Sequence, residues 1–233
     1  MFFPDPLIHG TLLRRYKRFL ADIRLDDGRE ITAHCANPGS MMGLTREGAE
    51  VWLSPSRNPK RKLQYSWELI DADGGLVGIN TAHPNGLAGE AITAGRIAPL
   101  KGYENLRREV KYGQNSRIDL LLEDADRPPC YVEIKNVTLM RQPGLAEFPD
   151  SVTKRGAKHL VELGDMVEAG NRAVMFYLVQ RTDCDRFAIA GDLDPTYAAE
   201  LERALTRGVE TICYDCRIDS KGIEVRQPIA LAL

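Results

Sequence analysis

The sequence predicts an α+β protein in two parts, a five-stranded β-barrel over residues 1–82 and a mixed α/β domain over 83–233. Three observations lead there. Up to Asn80 the chain is a series of short strands broken by turns, with scarcely any helix. From Thr81 onward, helical spacing alternates with strands. Between Ser116 and Leu139, two apolar strands joined by an acidic turn ending in Pro128-Pro129 carry Asp119, Glu133 and Lys135.

In the first part, Leu12 to Leu25 reads as one long strand with Phe19, Ala21, Ile23 and Leu25 on one face. Asp26-Asp27-Gly28 is a hairpin turn, and Glu30 to Cys35 is the return strand. Asn37-Pro-Gly-Ser turns again, Met41 to Leu44 suits a short helical piece, and Ala49 to Ser54 is a third strand. Tyr65, Trp67 and Leu69 then alternate with Gln64, Ser66 and Glu68, and Leu76 to Asn80 closes the set. Five such strands suit a small barrel of the OB type. A barrel of this kind binds single-stranded nucleic acid through a basic groove with stacking aromatics. Arg14, Tyr16 and Arg18 on one face, with the loop bearing Arg57, Lys60, Arg61 and Lys62, suit that use. The same charges also suit a solvated strand edge protected from aggregation.

In the second part, Leu87 to Ile97 is helical, and Glu90 on it is either an ordinary exposed residue or a partner for Asp119. Leu106 to Tyr112 is a strand leading into the hairpin. A helix follows Phe148-Pro-Asp-Ser, with Ser151 or Asp150 as its cap and Val152, Leu160, Leu163 and Val167 as its buried stripe. Lys154, Arg155, Lys158 and His159 fall off that stripe, where they would meet phosphates or simply water. Basic residues near a helix start oppose its dipole, which favours another use for them. Arg172 to Gln180 is a buried strand, Pro195 to Arg207 a helix, and Val209 to Ile218 and Ile223 to Arg226 the last strands.

Totals constrain the partners. The 233 residues are 43% hydrophobic and 27% charged, with net charge −2 and pI about 6.1. A nucleic-acid footprint must therefore be local. Met-Phe-Phe-Pro lacks a basic signal-peptide start, and an odd five cysteines favour reduced thiols and a cytoplasmic setting with no membrane. Cys213-Tyr-Asp-Cys216 has no second ligand pair and reads as structural.

Glu133 and Lys135 share one strand face, and pairing with the preceding strand would bring Asp119 beside them. Two carboxylates can hold Mg²⁺ or Mn²⁺, and a lysine beside them can orient water or stabilise developing charge. This arrangement resembles the Asp…Glu-x-Lys motif of the PD-(D/E)xK nuclease superfamily. A strand-face Glu-x-Lys is commonly a solvated ion pair, but here it lies in a very apolar strand, where an unused pair would be costly to bury.

Nearly end to end, the chain resembles the sugar fermentation stimulation protein A family. The matching stretches are Arg15-Tyr-Lys-Arg-Phe-Leu-Ala-Asp, Gly39-Ser-Met, Arg61-Lys, Asn115-Ser-Arg-Ile-Asp, Val132-Glu-Ile-Lys-Asn-Val-Thr-Leu, and Phe148-Pro-Asp through Arg155-Gly-Ala-Lys-His-Leu. The resemblance implies an OB-like domain followed by a restriction-endonuclease-like domain. It also implies DNA binding without marked sequence preference, and by name a link to regulation of sugar (maltose) metabolism. Its nuclease-like motif falls on Asp119, Glu133 and Lys135, with Glu90 as the helix carboxylate. Three uses remain open: a DNA-binding protein, a Mg²⁺-dependent nuclease acting on DNA or RNA, and a module for a protein or sugar partner.

Overall fold

The computed structural model describes residues 1–232. Its first six strands are β1 (Ile8–Tyr16), β2 (Leu20–Leu25), β3 (Glu30–Cys35), β4 (Glu50–Pro55), β5 (Tyr65–Ala72) and β6 (Gly75–Gly78). They pair in the order β3-β2-β1-β4-β5-β6, and a parallel contact of β3 with β5, at His34↔Ser66 and Cys35↔Trp67, closes the first five into a barrel. Leu12, Ile23, Val51, Leu53 and Trp67 fill it.

The strand expected over Leu12 to Leu25 is in fact a hairpin. Lys17 and Arg18 turn the chain in left-handed conformations, φ +49° and +62°, and Tyr16 pairs with Leu20. Neither residue type favours that region, so nothing in the sequence marks the turn. Met41 to Leu44 is likewise a turn, with Met41 at φ +53°, and no helix forms there.

The alternation expected on β5 also fails, because both of its faces are covered. Ser66 and Glu68 are buried. Glu68 accepts hydrogen bonds from Ser54 (2.6 Å) and Asn80 (2.9 Å) and meets His83 at 2.8 Å. Burial pushes the Glu68 carboxyl up, but these three partners outweigh it and hold it below the usual carboxylate range.

The second domain runs α1 (Pro84–Thr93), β7 (Asn105–Tyr112), β8 (Ser116–Asp124), β9 (Arg127–Val137), β10 (Leu139–Gln142), β11 (Gly144–Phe148), α2 (Lys154–Glu168), β12 (Arg172–Val179), β13 (Cys184–Ile189), α3 (Pro195–Thr206), β14 (Glu210–Asp219), β15 (Gly222–Pro228) and β16 (Ala230–Ala232). The main sheet is ordered β15-β14-β12-β9-β8-β7, with β9, β12 and β14 parallel. The helix α1 packs in the apolar cluster on one face; α2 and α3 supply the cluster on the other. A small second sheet, β10-β11-β13-β16, was not expected. Its strands are three to six residues long. Cys213 and Cys216 point to opposite faces of β14, one into each cluster, so they cannot share a ligand.

The domains are tied at several points. Gly78 N–H donates to Gln180 O (3.0 Å) and Thr182 N–H to Leu76 O (3.1 Å), so the barrel's last strand continues onto the segment after β12. Asp150 accepts from Ser40 Oγ and the Met41 N–H, both at 3.2 Å. At the other end, Phe2 pairs with Gly222, so the first residues border the second domain's sheet although the chain then enters the barrel.

Thr153, and neither Ser151 nor Asp150, caps α2, accepting the Gly156 N–H at 3.1 Å. Buried Asp194 supports both helix starts, accepting the Tyr197 N–H of α3 (3.0 Å) and the Thr153 N–H (2.7 Å). Asp194→Ala strands two helix-start donors, one buried and one part-buried, and is expected to cost about 2–4 kcal/mol. Thermal melts by circular dichroism would show it as a fall of several degrees, of which Asp194→Asn recovers only part, since its single amide oxygen can accept only one of the two N–H groups.

Candidate functional site

Strands β8 and β9 pair as far as Leu120↔Val132. One step further, the Asp119 side chain takes the place of the ladder, with Oδ2 accepting the Ile134 N–H at 2.8 Å. The strands part here, and charged side chains occupy the gap. Glu133, 3% exposed, lies on the face turned toward α2. Its Oε1 accepts from Lys135 Nζ at 2.7 Å and meets His159 Nδ1. Arg155 Nε donates to His159 Nε2 at 3.3 Å, so Nε2 accepts and Nδ1 carries the proton given to Glu133. Asn85, in the first turn of α1, donates to Asp119 Oδ1 at 2.8 Å.

The two carboxylates differ electrostatically. Burial, helped by the neighbouring Glu133 charge, pushes Asp119 up to about 6, against the lowering effect of the Ile134 N–H, Lys135 and Asn85. Burial also raises Glu133, but its bonds to His159 and Lys135 prevail and hold it below the usual range. Three buried polar atoms in this region have no hydrogen-bond partner: Glu133 Oε2, Glu162 Oε2 and Tyr112 Oη.

A hard cation fits this donor set. Glu133 Oε2 is unused, and each Asp119 oxygen takes only one strong bond, leaving lone pairs free. Among the described residues no group of three or more His, Cys, Asp or Glu side chains is arranged to hold a metal. A cation on Asp119 and Glu133 would therefore complete its shell with water and substrate oxygens, as Mg²⁺ commonly does.

Asp119, Glu133 and Lys135 are thus brought together as expected, but Glu90 is not. It is half exposed and pairs with the Met1 ammonium at 2.8 Å. Residues five apart on a helix lie about 140° apart around the axis, so α1 can aim only one of Asn85 and Glu90 at Asp119. Asn85 is the one, and its amide also lies 3.5 Å from Glu109 Oε1. Glu109, on β7, holds φ +52°, a conformation uncommon outside glycine.

His159, expected off the buried stripe, is 4% exposed. Val152, expected within that stripe, precedes the helix and is exposed. Lys154, Arg155 and Lys158 are exposed on the first turns of α2. Lys158 Nζ donates to Gln114 O (2.8 Å) and Ser116 Oγ (3.2 Å), which sets it on the rim of the site.

The barrel residues fall into separate contacts. Arg14 binds Asp22 at 2.8 Å with its guanidinium 4.9 Å from the Tyr16 ring, and the Tyr16 hydroxyl donates to Asp22 at 3.1 Å. Arg57 is held by Asp5 (2.8 Å) and the Pro4 carbonyl (2.8 Å). Arg61 donates to Ser66 Oγ at 3.0 Å. Arg18 and Lys60 are exposed and, among the described residues, make no ion pair.

Residues 13–79 match the family model described as the SfsA N-terminal OB domain, and residues 82–222 that of the sugar fermentation stimulation protein RE domain. A sugar fermentation stimulation protein homolog of Paramagnetospirillum magneticum is 59% identical over 233 residues, covering 100% of this chain and 98% of that one. Another, from Ruegeria sp., is 61% identical over 226 residues, with 97% of each chain covered. A solved structure of Pyrococcus furiosus SfsA in complex with Ca²⁺ is similar over 100% of both chains, at TM-score 0.87 and 26% identity. No helix among the described residues is long and apolar enough to cross a membrane.

Proposed function

The chain belongs to the sugar fermentation stimulation protein family, and from that premise we propose that it binds nucleic acid and hydrolyses phosphodiester bonds at Asp119, Glu133 and Lys135 with a divalent cation. The observation that carries this reading is the buried, unpartnered Glu133 Oε2 in a site where Asp119 is already strained by burial and by the Glu133 charge. A buried carboxylate oxygen left unpaired is costly, and a cation is the partner that removes the cost. The relative solved with Ca²⁺ supports a hard-cation ligand.

Asp119 and Glu133 would hold Mg²⁺ or Mn²⁺. When bound, the ion supplies Lewis-acid charge and makes water more acidic. Asn85 and the Ile134 N–H fix Asp119, while His159 fixes Glu133. Lys135 holds a positive charge 2.7 Å from Glu133, where it can meet negative charge developing on phosphate. Lys154, Arg155 and Lys158 offer phosphate contacts that carry no base information, so binding is largely indifferent to sequence.

The test uses end-labelled single- and double-stranded DNA and RNA in EDTA, Mg²⁺ or Mn²⁺. Retardation in EDTA, with cuts only when cation is added, is the expected result. Intact strands with every cation would refute hydrolysis. They would leave binding alone, with regulation of sugar metabolism as its output. That second reading draws on the internal bonds of Asp119 and Glu133 Oε1, which order the site without any cation. Failure to retard any nucleic acid at low salt would refute both. Lys154→Ala with Lys158→Ala should reduce the slope of log K against log salt by about 1 for each phosphate no longer neutralised.

A further inference from the structure

Phe19 is 47% exposed at the tip of the β1–β2 hairpin, directly after left-handed Lys17 and Arg18. Its ring lies nearly parallel to that of His34 on β3, 7° between planes and 6.5 Å between centroids. Isolated exposed apolar side chains are common and by themselves mean little. This one differs in two respects: it is the outer member of a stacked pair, and cations surround it. Lys17 and Arg18 make no ion pair among the described residues, and Arg61, close enough to His34 to depress its pKa, makes none either. Burial first, then Arg61, keeps His34 below its ordinary pKa, so the imidazole is uncharged at neutral pH and presents a neutral face.

The pair also sits beside the strand whose next loop meets the second domain. Phe19 O accepts the Cys35 N–H at 2.9 Å. The chain after Cys35 becomes the Asn37–Met42 loop, which Arg15 braces through the Asn37 and Gly39 carbonyls at 2.9 Å each. That loop bonds to Asp150, just ahead of α2 with its Lys154 and Arg155.

We propose that Phe19 and His34 form a stacking platform for an unpaired base of single-stranded nucleic acid, with Lys17, Arg18 and Arg61 taking the flanking phosphates. The proposal rests on the nucleic-acid reading above and narrows it. Bases of a duplex are stacked on each other and offer no free face, whereas a single strand offers one per nucleotide.

The experiment measures anisotropy of labelled oligothymidylate and of a duplex of equal length, with the full chain in EDTA. Phe19→Ala should weaken single-strand binding roughly 5- to 100-fold and leave duplex binding unchanged. Phe19→Trp should retain affinity, and its added indole emission should be quenched by the oligothymidylate beyond any change from Trp52 and Trp67 in wild type. Phe19 is half in water, so the variants should fold; a melt checks this. Equal single-strand affinity for Phe19→Ala and wild type would overturn the platform, as would equal weakening for single strand and duplex. Wild type that binds neither DNA would overturn the nucleic-acid reading itself.

Discussion

Asp119→Asn is expected to melt several degrees above wild type in EDTA while losing most of the proposed cleavage. The sign follows from the carboxyl's position at about 6 against an ordinary 3.8. Between those values the folded protein keeps a proton that the unfolded chain has released, so stability falls as pH rises through the window. Above it the penalty is complete, roughly 3 kcal/mol at 1.36 kcal/mol per unit. Asparagine carries no charge and removes it. For a chain of this size, each kcal/mol moves the melting temperature by about 2–4 °C. The gain should therefore be full above about pH 7 and vanish near pH 4, where Asp119 is protonated in either state. Mg²⁺ should raise the wild-type melting temperature and leave the variant's unchanged. Cleavage should fall by at least about a hundredfold. A gain equal at both pH values would mean that relief of the carboxylate is not its source.

Glu133→Gln should abolish cleavage equally and move stability the other way. Glu133 lies below the usual range because His159 and Lys135 favour its charged form against burial. Its contribution is present above the ordinary glutamate pKa and is lost as pH falls through the depressed value. The amide removes the counter-charge of Lys135, whose side chain is 13% exposed. Breaking a buried pair costs about 3–5 kcal/mol, a fall on the order of 10 °C here. Melts of the two variants in EDTA, side by side, check this. Equal shifts of one sign would refute the electrostatic difference between two carboxylates on neighbouring strands.

That difference is not legible in the sequence, although the residues are. Alternation on a strand puts Glu133 beside Lys135, and the hairpin brings Asp119 opposite them. The partners that set the charges come from helices, and there the pattern misleads. The inner face of α2 carries Gly156, Ala157 and Gly164 among its buried residues. Those small residues give no apolar signal, so the apolar spacing runs through Val152 and leaves His159 outside. Asn85 belongs to no recognised spacing. On the barrel, turn and strand patterns locate the segments, but Lys17 and Arg18 disguise a tight turn. Glu68 reads as a surface residue because the partners that satisfy it, Ser54, Asn80 and His83, lie elsewhere in the chain. The small second sheet is built from strands too short to carry a period of their own.

The pairing of Phe2 with Gly222 has a mechanical consequence. The chain leaves the second domain's sheet edge, builds the barrel, and returns to the same domain through Leu76 and Gly78. The barrel is thus an insertion, anchored at both of its ends. A domain on a single tether swivels freely; one anchored at both ends, and tied again where Ser40 and Met41 meet Asp150, is held in orientation. On the proposed function, the pull of a strand held by the barrel would be borne by backbone hydrogen bonds at two sheet edges.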